Sequence, residues 1–228
     1  MLNNKMSSNC HDSFTPMVFA VDMDDTLNDT HGFIYSAMLK YYAARGMKAK
    51  IEYIQEEHRK GTSSLVWRED IRREVDEHVI ASNLYIKNAF GSNLMENGFI
   101  QLMREIKLEY PDHFFPAIVT HRGFDPEAGT LSEIWLYENG INDLFRVVHA
   151  LDPRVKPNKV EFLKETYPGH AVRLLDDNPL ARTDKVYDHV PELIIYDKIS
   201  KLPAYQNQRK YTSNLNLVYD IVRTIEGN

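Results

Sequence analysis

Val18-Phe19-Ala20-Val21 runs straight into Asp22, and Asp24 and Asp25 follow within three positions. An apolar run without alternation suits a strand covered on both faces, with the acids emerging at its C-terminal end. In an open α/β sheet that end is where ligands bind. Asp22, Asp24 and Thr26 form a D-x-D-x-T pattern. Carboxylates this close repel one another, and a bound cation or an anion-handling task offsets that repulsion. An acidic turn after a strand is the plainer alternative. Partners further along the chain decide between the two.

The chain supplies them in order. Residues 32–44, 51–60, 67–80 and 83–90 carry apolar side chains at helical spacing, with glycines at 46, 61 and 91 as stops. No strand is evident there, so residues 31–92 are expected to form an all-helical block. Beyond it the spacing predicts a helix over 99–110, a strand over 114–119, a helix over 131–138, a strand over 145–148, a helix over 158–166, strands over 172–175 and 193–196, and a closing helix over 214–225. Strands alternating with helices predict an α/β fold, with a parallel sheet between two helical layers. The expected organisation is a Rossmann-like core (15–30 and 93–228), an inserted helical cap (31–92) and a flexible tail (1–14).

Each relevant strand ends in a chemically useful group. The first gives Asp22 and Asp24, the second Thr120 followed by His121 and Arg122, and the fourth Asp176 and Asp177. A lysine, Lys156 or Lys159, precedes the fourth strand. If the strands are parallel these groups share one rim. Carboxylates with a lysine and a hydroxyl form an all-oxygen donor set for a hard cation such as Mg²⁺, which keeps waters and takes phosphate oxygens as well. Arg182 and Asp184, just past the acidic pair, either brace the site or cap a helix. The cap aromatics Tyr35, Tyr42, Trp67 and Tyr85 read as cap core, and Arg72-Arg73 as solvated charge.

These four motifs resemble those of the haloacid dehalogenase (HAD) superfamily. They are Asp22-Met23-Asp24-Asp25-Thr26, Ile118-Val119-Thr120, Lys156-Pro157 (or Lys159), and Leu174-Leu175-Asp176-Asp177. Asn97-Gly98-Phe99 is similar to the glycine-led helix that follows the cap in that family. The insert stands where its members carry a C1-type cap. Asp25 departs from the glycine common at its position. The resemblance implies Asp22 as nucleophile, Asp24 as general acid and then base, and Thr120 and His121 as phosphate-binding groups with the motif lysine. Lys156 is preferred over Lys159 for that lysine. It also implies Mg²⁺ held by Asp22, the Asp24 main-chain carbonyl and Asp176, with Asp177 orienting a bound water or the lysine.

The implied activity is that of a phosphoric monoester hydrolase working through an aspartyl-phosphate. Among HAD members the sequence is most similar to the 5′(3′)-deoxyribonucleotidases, which makes a nucleoside monophosphate the expected substrate. A polynucleotide 3′-phosphatase and a non-catalytic phosphate-binding protein are the alternatives. Composition trims the field. A net charge of −6 over 228 residues provides no basic footprint for a nucleic-acid duplex. The single cysteine, Cys10, rules out an internal disulfide and a C-x-x-C site. No apolar run approaches the roughly 18 residues of a membrane span, and no leader is evident, so a cytoplasmic protein is expected.

Overall fold

The computed structural model describes residues 14–180, 186–199 and 202–227. Nearly all of the expected tail, with Cys10, and also Arg182 and Asp184, lie outside the described residues. The chain opens with strand β1 (Met17–Val21) and a short strand β2 (Asn28–Asp29). Helices α1 (Thr30–Ala44), α2 (Lys48–Lys60), α3 (Glu69–Val75) with a π-helical turn (Asp76–Ile80), and α4 (Leu84–Asn88) follow. Strand β3 (Phe90–Gly91) then pairs antiparallel with β2. The remainder alternates: α5 (Asn93–Glu96), α6 (Phe99–Glu109), β4 (Phe114–Thr120), α7 (Ala128–Glu138), β5 (Val148–Ala150), α8 (Lys159–Thr166), β6 (Ala171–Asp176), β7 (Leu193–Ile195) and α9 (Asn214–Glu226).

The five longer strands form one parallel sheet in the order β5-β4-β1-β6-β7. Every residue of β1 is buried. Met17, Phe19 and Val21 face a core shared with α6, α7 and α9, whereas Val18 and Ala20 face a second core shared with α8. This period-two division explains the unbroken apolar run. Burial contributes about 1.5–3 kcal/mol for each large side chain. The sheet order reverses beside β1, so the crevice for a ligand opens at its C-terminal end.

Two expectations are corrected. The third strand is Val148–Ala150, not 145–148, because Leu144 and Phe145 are drawn into the core. Strand β3 lies inside the stretch where no strand was evident. It is only two residues long, too short for any periodicity to register. Helices α1–α4 share their own apolar cluster, in which Tyr42, Trp67 and Tyr85 are buried. Among the described residues no helix is long and apolar enough to cross a membrane.

Candidate active site

The turn after β1 sets the site. Met23 O accepts from the amides of Leu27 (3.0 Å) and Asn28 (2.9 Å), which curls the acids back over the sheet edge. Asp25 holds the left-handed conformation there (φ 55°), which Asp tolerates better than most non-glycine residues. Its carboxylate accepts from the His31 amide at 2.6 Å, a bond a glycine could not make. Burial pushes the Asp25 carboxyl well above the usual range.

Asp22 and Asp176, on neighbouring strands, are joined by Lys159. Its Nζ donates to Asp22 Oδ1 (2.8 Å) and Asp176 Oδ2 (2.7 Å), and all three side chains are at most 5% exposed. Burial raises the Asp22 carboxyl despite the ammonium beside it, and pushes Asp176 up to about 7. Burial works to lower the Lys159 pKa, but the Asp176 and Asp22 carboxylates prevail and hold it above its ordinary value. Asn158 caps α8, its side chain accepting from Val160 N (3.0 Å), which starts the helix at Lys159 and sends that side chain inward. The preference for Lys156 is therefore corrected. Lys156 is about half exposed and pairs with Glu165 at 2.8 Å.

Asp24 belongs to a different grouping. Arg122, 1% exposed, donates from Nε to Asp24 Oδ2 (2.7 Å) and from Nη2 to Oδ1 (2.6 Å). Thr30 Oγ1 also donates to Asp24. Asn28 closes the bracket, its amide oxygen accepting from Arg122 Nη2 and its nitrogen donating to Thr30 Oγ1, both at 2.9 Å. Burial works to raise the Asp24 carboxyl, but the guanidinium prevails and holds it below the usual range. Arg122 also donates to Ser132 Oγ (3.0 Å) and lies over the Tyr85 ring (5.6 Å).

Thr120 ends β4 fully buried, and its hydroxyl makes no hydrogen bond among the described residues. His121 follows it, with Nε2 donating to Lys156 O at 3.1 Å. Burial, aided by the Lys159 charge, depresses its pKa to about 3, so the ring is neutral near pH 7. Gly123 has no room for a side chain: a Cβ there would meet Ala150 O at 2.4 Å.

Asp22, Asp24, Thr120, His121, Lys159 and Asp177 line one cleft of about 640 Å³. Its opposite wall comes from the helical insert, including Leu65, Arg72, Arg73 and Ile80. The solvated charge expected at Arg72-Arg73 thus borders the cleft. Asp22, Asp176 and Asp177 each offer a carboxylate oxygen, all within 4.8 Å of one another. That donor set fits a hard cation. The Asp24 carboxylate, taken up by Arg122, leaves only its main-chain carbonyl for such a role.

No protein-family model and no curated relative matches the sequence. Solved structures do match the fold. YfnB of Bacillus subtilis, a HAD-hydrolase whose crystals contain magnesium, superimposes with a TM-score of 0.51 at 13% identity, over 91% of this chain and 99% of that one. A predicted phosphatase from Clostridium acetobutylicum gives 0.52 at 13% identity, over 92% and 99%. The chain has the fold of the HAD-type hydrolases.

Proposed function

We propose that the protein is a Mg²⁺-dependent phosphomonoesterase acting on a small phosphorylated metabolite, with a nucleoside monophosphate the leading substrate class. The observation that carries this is the Lys159 bridge between Asp22 and Asp176, with Asp22, Lys159 and Thr120, whose hydroxyl has no partner among the described residues, lining one cleft. A nucleophile, a fixed cation and a free donor there converge on the space for one phosphoryl group.

Asp22 attacks phosphorus and forms an aspartyl-phosphate while the ester oxygen leaves. Asp24 gives that oxygen its proton and later takes one from the attacking water, which frees phosphate and restores Asp22. Lys159 holds Asp22 in place, and Thr120 and His121 bind the phosphoryl oxygens. Asp22, the Asp24 main-chain carbonyl and Asp176, with Asp177 beside them, would hold Mg²⁺, which would supply charge neutralisation for the transfer. Support for the metal is the acid cluster itself and the magnesium in the YfnB crystals. The insert acts as a cap of C1 type. A cleft of about 640 Å³, with apolar Leu65 and Phe124 in its wall, is of a size for a nucleotide and excludes bulky chains.

The test is phosphate release from nucleotide and sugar monophosphates, with Mg²⁺ or chelator, by wild type and Asp22→Asn. Metal-dependent turnover lost in the variant supports the assignment, and the rank order of substrates identifies the class. Folded protein that turns over no monophosphate overturns it.

A further inference from the structure

A second cleft, of about 550 Å³, shares no lining residue with the first. One wall is the polar side of α9, whose apolar side (Leu217, Ile221, Ile225) is spent in the core. The other is the segment 209–211, which runs along the sheet edge: Ile195 N donates to Arg209 O and Tyr211 N to Ile195 O, both at 2.8 Å.

Its charge runs against that of the whole chain. Four cations, Arg173, Arg209, Lys210 and Arg223, line it against a single carboxylate, Asp220. Asp220 serves two of them at once, accepting from Arg173 Nε (3.0 Å) and Arg209 Nη2 (3.1 Å). Among the described residues Lys210 has one ion-pair contact, a long one of 3.5 Å with Asp197. Arg223 lies over the exposed Tyr219 ring at 5.6 Å and makes no ion pair among the described residues. Arg209 Nε is shielded from water and has no acceptor among the described residues. A structural brace for α9 needs the Arg173–Asp220–Arg209 cluster alone. Lys210 and Arg223, and the unmet Arg209 donor, exceed that need.

We propose that this cleft binds a small molecule through a phosphate group, at a site separate from the acid-lined cleft. The Arg223 guanidinium fork matches phosphate oxygens in pairs, Lys210 adds a second cation, and a dianion offsets most of the excess positive charge that Asp220 leaves. The rings of Tyr211 and Tyr219 border the same space and suit a planar or apolar remainder.

Pyrophosphate titrated calorimetrically into the full chain in the presence of chelator tests this. Without a cation the acid-lined cleft repels anions, so binding there is suppressed. The expected result is one metal-independent site, unchanged in Asp22→Asn and at least about tenfold weaker in Lys210→Gln/Arg223→Gln, the loss expected for charged hydrogen bonds. Arg223 is exposed and Lys210 partly so, and an unchanged unfolding temperature verifies the fold. Absence of binding overturns the proposal. So does binding that survives the double substitution, or that disappears with Asp22→Asn.

Discussion

Arg122 holds Asp24 by both carboxylate oxygens, at 2.7 and 2.6 Å, across 98 residues of sequence. The grip keeps Asp24 ionised in the free protein, whereas the proposed first step needs it as a proton donor. Arg122→Gln lets the Asp24 pKa rise, so more of it is protonated at any given pH. The alkaline limb of the kcat/KM profile then moves to higher pH; an unmoved limb removes Asp24 from the donor role. The stability cost is about 1–3 kcal/mol by chemical denaturation. This is below the figure for a fully buried pair because the Asp24 side chain is 29% exposed.

The two lysines separate cleanly. Lys159→Met leaves Asp22 and Asp176 facing one another without a cation, a loss of about 3–5 kcal/mol in stability. Turnover falls at least about a hundredfold. Lys156→Met removes a surface ion pair and changes stability by no more than about 0.5 kcal/mol, with turnover retained. Equal effects from the two substitutions would contradict the assignment of Lys159.

Thr120→Val tests a group with no structural duty. The hydroxyl is buried without a partner, so an isosteric methyl leaves the unfolding free energy unchanged or raised. Phosphate release falls about tenfold or more, since one donor to the phosphoryl oxygens is gone. A variant that is less stable but fully active would reverse the reading.

His31, buried where α1 begins, has its Nε2 at 3.3 Å from His58 Nδ1 and no partner for its own Nδ1. Burial, then repulsion from His58, lowers its pKa to about 4. The unfolded chain takes that proton near pH 6.5, so between 6.5 and 4 the unfolded state binds more protons and stability falls with pH. His31→Gln removes this contribution. Relative to wild type it gains about 2 kcal/mol between pH 7 and pH 5, from the 1.5 pH units below 6.5. Denaturant midpoints at the two pH values measure it, and a constant difference would show that His31 titrates normally.

Much of the cleft was legible because strand ends were. Asp22, Thr120, Asp176 and Asp177 each follow an apolar run, and a parallel sheet brings such ends together whatever the intervening chain does. The choice of lysine turned on a local signal, Asn158 as the cap that makes Lys159 the first residue of α8. From the sequence Arg122 beside Thr120 reads equally as a substrate contact or as a solvated loop residue; its pairing with Asp24 follows from β4 lying directly beside β1, a strand order that sequence spacing does not encode. Arg72 and Arg73 read as solvated because a helix reveals its own apolar face, not the cleft that its polar face borders. The β5 shift has a similar origin, since Phe145 looks strand-like but is buried in the core ahead of the strand.

The short β2–β3 ladder has a consequence of its own. Asn28 lies opposite Gly91, and Asp29 opposite Phe90, so the chain departs into the helices and returns from them at adjoining points. The chain enters and leaves the insert through this one ladder, while α4 packs on α7 and Trp135 Nε1 donates to Ala89 O at 3.0 Å. Joining Asp29 to Phe90 would leave Asn28 and Gly91 paired across two residues, the length of a tight hairpin turn. An insertion at this point interrupts none of the hydrogen-bonded pairings among the five strands of the parallel sheet.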